Sequence, residues 1–273
     1  MAGVRPPEGS SGDVSRETSP SVSRGTSPIE ATPGRDDAVL ARLFPADRIP
    51  LLDRYAELLA TEGVLRGLIG PREVPRLWDR HLVNCALLAP LVPAQARVVD
   101  LGSGAGLPGL VLAIARPDLR ITLVEPMARR TAFLDEVCAE LELGDVEVVR
   151  ARAEQWTDQQ TGQPMGHPRF DVVTARALAP LPKLLAWGLP LVAESGALLA
   201  LKGASAQAEV EAARSELARR GARAEVLSSS VPGSSVTTVV RVVRDPRSAI
   251  GWQQPSARRR PRRRPQHQGK DLT

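Results

Sequence analysis

The run Val98-Val99-Asp100-Leu101-Gly102-Ser103-Gly104-Ala105-Gly106-Leu107-Pro108-Gly109 constrains this chain more than any other. A buried-strand pattern runs into four glycines and then into the apolar helical stretch "GLVLAIARP", which Pro117 stops. Such a strand–turn–helix brings bare main chain against a ligand, at the positive end of a helix. P-loops, dinucleotide sites and S-adenosylmethionine sites all use turns of this kind. The P-loop is excluded, because no Gly-Lys-Ser/Thr follows the glycines. Counted from Gly102, the first glycine after the strand, the dinucleotide fingerprint G-x-G-x-x-G places Leu107 where its third glycine belongs. The spacing here is G-x-G-x-G, with Asp100 two residues ahead. It suits a ligand that brings a carboxylate and an ammonium to the turn and no pyrophosphate. Asp100 is expected to attract the cationic end of that ligand. Glu125 closes the next strand, where a carboxylate accepts both hydroxyls of an adenosine ribose. NAD and S-adenosylmethionine share that feature.

The texture around the turn is repetitive. "RVVDL", "RITLVEP", "DVEVVRA", "FDVVTARA" and "GALLALKG" read as strands, with helical patterns between most of them. "QAEVEAARSELARRG" reads as one helix, and "AEVLSSSV" and "SVTTVVRVVRD" as a closing pair of strands. Repeated β-α-β units imply an α/β fold with a mostly parallel sheet and helices on both faces. Ligands of such sheets sit at the carboxyl ends of the strands. Ahead of the sheet, Leu51, Leu52, Tyr55, Leu58 and Leu59 form one helical stripe, and Val74, Leu77, His81, Leu82, Cys85 and Leu88 another. The expected organisation is a disordered segment over 1–37, a helical extension over 38–92, the sheet domain over 93–246 and a disordered Arg-rich tail over 247–273.

Charge supports that division. The whole chain carries +5, but residues 254–273 alone carry +6 and residues 1–37 carry −2. The folded part is therefore nearly neutral, and the basicity belongs to the tail. No apolar run approaches the roughly 18–20 residues that span a bilayer, and the Ser/Pro/Gly-rich start lacks the core of a secretory signal. Cys85 and Cys138 lie far apart inside helical patterns, which fits buried thiols in a reducing compartment. A cytoplasmic protein is expected, with no membrane association.

Between about Arg54 and Val243 the sequence resembles the 16S ribosomal RNA guanine-N7 methyltransferases, also called the glucose-inhibited division protein B family. The likeness rests on "REVPRLWDRHLVN", "VVDLGSGAGLPGL", "RRTAFLDEV", "RARAEQW", "FDVVTARALAPL" and "LLALKG", in that order and spacing. It implies a class I S-adenosylmethionine-dependent methyltransferase fold, Rossmann-like, behind an N-terminal helical extension. It implies cofactor contacts at Gly102, Leu107, Ala153, Glu154 and Arg176, beside Gly104 and Glu125 from the turn and strand end. Where the family has Asp, this chain has Glu125, which keeps the carboxylate. The implied partner is 16S ribosomal RNA or the small-subunit particle, bound by a monomer.

The motifs that are missing fit guanine N7 as the target. No Asn/Asp-Pro-Pro-aromatic motif for exocyclic amines follows the fourth strand, where Thr174-Ala175-Arg176-Ala177 stands. Neither cysteine is placed as a nucleophile for pyrimidine C5. Guanine N7 presents a lone pair in the groove, so its attack needs no general base, no catalytic side chain and no metal ligand. Candidates for RNA contact are Lys202, at the end of the fifth strand and poorly explained by packing, and Arg80 and His81 on the extension. Trp156 stacks either on a base or on its own rim. Arg176 serves the site or an ion pair with Glu154 or Asp171. Six arginines in "ARRRPRRRPQHQGK" could hold phosphates without reading bases. Two alternatives stay open: the same fold acting on another RNA or a small molecule, and a non-catalytic RNA-binding protein.

Overall fold

The computed structural model describes residues 34–156 and 169–245. Seven strands form one sheet: β1 Arg97–Leu101, β2 Arg120–Val124, β3 Val146–Val149, β4 Phe170–Arg176, β5 Val192–Lys202, β6 Ala222–Ser229 and β7 Thr237–Arg244. Their order is β3-β2-β1-β4-β5-β7-β6. The first five are parallel, and β7 inserts antiparallel between β5 and β6. Chain direction across the sheet reverses between β1 and β4. That switch point opens a crevice at the carboxyl ends of the strands, which is where the glycine turn leaves β1.

Alternation along β1 divides the core. Val98 joins Leu110, Ile114, Leu123 and Phe133 on one face; Val99 and Leu101 join Val173, Leu184, Leu185 and Leu198 on the other. The first face is covered by α4 (Gly109–Ala115) and α5 (Ala128–Glu140), and the second by α6 (Leu181–Gly188). Every residue of α4 is buried, which explains why its sequence has no polar face.

The extension is part of the first-face core. It comprises α1 (Asp37–Leu43), α2 (Ile49–Leu58), π-type turns over Leu59–Gly63 and Leu77–Val83, and the short α3 (Asn84–Ala86). Leu52, Tyr55, Leu82 and Cys85 are fully buried in the same cluster as Leu110 and Ile114. At about 1.5–3 kcal/mol for each large apolar side chain, this contact is too strong for an independently hinged module. The extension and the sheet fold as one body.

Order begins earlier than the sequence suggests. Asp36 caps α1 by accepting from the Ala38 and Val39 amides. Arg35 pairs with Asp37 and Asp53 and lies over the Trp78 ring, 5.3 Å from its centroid. Residues 34–37 thus belong to the fold, whereas the rest of the N-terminal segment expected to be disordered, and the Arg-rich tail, lie outside the described residues. The single helix expected after β5 is two, α7 (Ala206–Ala212) and α8 (Arg214–Arg219), because the chain turns at Ala213 to bury that residue. Among the described residues no helix is long and apolar enough to cross a membrane.

Candidate active site

The turn after β1 is built on three glycines at positive φ: Gly102 at +68°, Gly104 at +61° and Gly106 at +98°. Side chains rarely adopt that region. Its amides point mainly inward. Gly102 and Ser103 donate to the Val124 carbonyl at 2.8 and 3.2 Å, and Gly104 donates to Glu125 Oε2 at 3.0 Å. What the turn offers a ligand is bare surface rather than a row of free donors. A Cβ on Gly104 would meet only the Gly102 carbonyl, at 3.9 Å, so this glycine faces open space. At Gly102 a Cβ would come 2.5 Å from Leu178 Cδ1, because Leu178 of the β4–α6 loop lies across it. Gly109 serves packing instead, since a Cβ there would overlap Leu123 Cδ2 and approach Asp100 Oδ2 to 2.9 Å. Its lack of a side chain lets α4 start against the sheet.

Asp100 lies beneath the turn, away from its open face. It is fully buried; its Oδ2 accepts from the Gly109 amide at 3.1 Å and its Oδ1 from the Thr174 hydroxyl at 2.8 Å. Burial pushes its pKa up to about 6, against the opposing pull of those hydrogen bonds. The expectation that Asp100 attracts a cationic ligand is corrected: it ties β1, β4 and α4 together under the turn. The sequence reading also missed Tyr55 of α2, fully buried, whose hydroxyl donates to the Ala105 carbonyl at 2.7 Å. The helical extension therefore holds the apex of the turn.

The remaining site residues gather along the same edge. Glu125, just past β2, uses Oε1 to accept from the Met127 amide at 3.0 Å and faces Arg130 Nη1 at 3.5 Å. A carboxylate has about four lone-pair positions, so exchange of the Gly104 amide for ribose hydroxyls fits this group. Ala153 and Glu154 form a short turn beyond β3, with Ala153 buried and Glu154 3.7 Å from Arg152. Leu107 is half-buried behind the glycines, its amide bonded to the Ser103 carbonyl at 3.0 Å. Arg176 ends β4. Its guanidinium bonds His81 Nδ1 at 2.8 Å, the Arg80 carbonyl at 3.2 Å and Cys85 Sγ at 3.4 Å. The ion pair considered with Glu154 or Asp171 is not formed. Arg176 thus ties the end of β4 to the extension.

Of the residues assigned to RNA, Arg80 alone is presented outward, with 60% of its side chain exposed and Glu73 3.9 Å away. His81 is enclosed between Glu73 and Arg176, so it is a linking residue rather than a surface contact. Lys202, expected to be poorly explained by packing, has partners within the fold. It has 11% of its side chain exposed, pairs with Glu209 at 2.7 Å and donates to the Ala179 carbonyl at 3.0 Å. Glu209 in turn accepts from the Leu181 amide at 3.3 Å. Lys202 braces the loop that carries Leu178. Trp156 is buried and stacked on Phe170, ring centroids 6.1 Å apart, which settles its choice in favour of packing. Burial pushes the thiols of Cys85 and Cys138 up to about 11 and about 12, although Cys138 is half-buried rather than buried. Neither is an activated nucleophile. A groove of about 360 Å³ near the amino-terminal ends of β1, β2 and β3 takes no part in this site.

The sheet order, the glycine turn after β1 and the acid after β2 define a class I methyltransferase fold. An O-methyltransferase from Streptomyces achromogenes, TomG, solved with S-adenosylmethionine, has this fold at a TM-score of 0.53 and 19% identity, over 81% of this chain and all of that one. Sequence relatives are much nearer. The ribosomal RNA small subunit methyltransferase G of a Nocardioides species is 56% identical over 91% of both chains. That of Thermobifida fusca is 56% identical over 74% of this chain and 83% of its own. The family profile described as rRNA small subunit methyltransferase G matches residues 48–235. The chain belongs to that family.

Proposed function

We propose that the protein transfers a methyl group from S-adenosylmethionine to N7 of a guanine in small-subunit (16S) ribosomal RNA. The observation that carries this reading is the meeting of Glu125 with the open turn at Gly104, in a chain of this family. When bound, the cofactor supplies an electrophilic methyl group on a sulfonium. Glu125 holds the ribose hydroxyls, Ala153 and Glu154 border the adenine, and the bare main chain of Gly102–Gly104 admits the amino-acid end. Leu107 packs behind the turn, and Arg176 brings a cation to the β4 side of the cleft. Leu178 shields the turn from water.

Guanine N7 attacks with a lone pair and has no proton to lose, so alignment with the methyl group is the main catalytic demand. A rigid turn, held from below by Asp100 and from the extension by Tyr55, serves that demand. The arrangement of thiols also fits, since both are held protonated. Arg80 and the arginines of the tail supply phosphate contacts to the RNA. The protein acts in this reading as a cytoplasmic monomer on ribosomal RNA. The test is labelled methyl transfer to ribosomal RNA from cells lacking the protein, followed by digestion to nucleosides. Label in 7-methylguanosine from the small-subunit RNA is expected; label in another nucleoside, or none, refutes the proposal.

A further inference from the structure

Arg176 is an unusual arginine. Its three hydrogen-bond acceptors are a carbonyl, a thiol sulfur and an imidazole nitrogen, all from the extension, and among the described residues no carboxylate pairs with it. The contact with His81 Nδ1, at 2.8 Å, requires a lone pair on that nitrogen, because a guanidinium only donates. The other imidazole nitrogen, Nε2, lies 2.8 Å from Glu73 Oε2 and must carry the proton. Both distances are satisfied by one form of the ring: neutral, with the hydrogen on Nε2. Protonation would set an N–H against the guanidinium and leave two cations in contact.

We propose that Glu73 and His81 act as a positioning relay that fixes the Arg176 guanidinium at the carboxyl end of β4, beside the cofactor turn, and that the relay works only while His81 is neutral. The inference rests on the reading of this edge as the methyltransferase site. His81 touches no reacting atom. It fixes the guanidinium through Nδ1, while Glu73, in the turn Pro71–Arg76, fixes the ring through Nε2. The charged and titratable groups around the ring are Glu73 with Arg76 near it, Arg80 on its own turn, Arg176 from β4, and Cys85 through Arg176. Burial, then the Arg176 charge, lower the His81 pKa from its ordinary value, and Glu73 opposes them. The neutral form therefore prevails at neutral pH and is lost on acidification. An acid limb in activity would then come from a positioning residue, with no general base involved.

The relay is tested on the full chain in two ways. The chain holds three histidines, so nitrogen-labelled imidazoles are separable by NMR without any cofactor. The expected signal for His81 is an Nε2–H tautomer, titrating below the ordinary imidazole range and moving upward in Arg176→Gln. An Nδ1–H tautomer, or no movement in Arg176→Gln, overturns the relay. Single-turnover methyl transfer and cofactor affinity are then followed from about pH 5 to 8. Wild type should lose at least tenfold on acidification; Glu73→Gln should move that loss to lower pH. His81→Asn puts a carbonyl oxygen near the place of Nδ1 that cannot titrate. It should keep activity within about threefold at pH 8 and flatten the profile. His81→Ala should lose tenfold or more throughout. A His81→Ala profile superposable on wild type, or a lower melting temperature with an unchanged profile, refutes the relay alone. Absence of transfer by the wild type itself refutes the parent reading instead.

Discussion

Tyr55→Phe isolates what the helical extension contributes to the cofactor turn. The ring of Tyr55 is fully buried and its hydroxyl donates to the Ala105 carbonyl at 2.7 Å. Phenylalanine keeps the ring and its packing and removes only the donor. Ala105 is itself 6% exposed, so water does not readily replace the lost bond. Leaving a buried carbonyl without its donor costs about 1–3 kcal/mol. For a domain of this size each kcal/mol corresponds to roughly 2–4 °C in melting temperature. Part of the cost should appear in ligand binding, since the freed residue sits between Gly104 and Gly106 at the apex of the turn. Affinity for S-adenosylmethionine should fall about tenfold, the equivalent of 1.4 kcal/mol. Burial holds the phenol pKa well above 10, so the difference between variant and wild type should not vary from pH 6 to 9. Thermal unfolding and titration calorimetry measure the two effects separately. An unchanged melting temperature with unchanged affinity would refute the claim that the extension braces the turn.

Other perturbations probe the rest of the account. Glu125→Ala removes charge-assisted bonds to the ribose, each about 1.5–3 kcal/mol, so calorimetry should show cofactor affinity lowered roughly 10–100-fold. Lys202→Met breaks the pair with Glu209; urea unfolding should register about 1.5–3 kcal/mol of destabilisation while RNA affinity is unchanged. Asp100 holds its proton more tightly in the fold, with a pKa near 6 against 3.8 for the free group, so its stabilising share is present below about pH 4 and lost as pH rises through 6. Wild-type stability measured against Asp100→Asn should therefore fall by about 2–3 kcal/mol as pH rises from 4 to 7, read from denaturation midpoints across that range. Truncation after Gln253 should weaken RNA binding at low salt and flatten its salt dependence without moving the modified position; identical slopes would show that the tail does not touch RNA.

What the sequence disclosed depended on how local each signal was. The strand–turn–helix at Val98–Ala115 is contiguous and its glycines have few uses, so the turn, the sheet class and the place of Glu125 at the strand end were legible. The strand sequences alternate or run apolar as their two-faced burial demands, and all seven were recognisable. The partners of Lys202, Glu209 and the Ala179 carbonyl, were not legible because the turn into α7 and the loop after β4 bring them to it. A lysine at a strand end looks the same whether it meets solvent or a glutamate. Arg176 was read as serving the cofactor site or pairing with Glu154 or Asp171, yet its hydrogen-bond partners lie 91 to 96 residues earlier. Tyr55 sat on a stripe of leucines and read as core, which is true of its ring and silent about its hydroxyl. Asp100 gave the opposite error: an acid beside a glycine turn suggested a ligand, but complete burial gives it the turn itself.

The most direct test of the central claim is a crystal structure of the full chain with S-adenosylhomocysteine. The ribose hydroxyls should lie on the Glu125 carboxylate, in place of the Gly104 amide, with the amino-acid end over Gly102–Gly104 and Arg176 still held by His81. A ligand bound elsewhere, with Glu125 still closed on Gly104, would contradict the account.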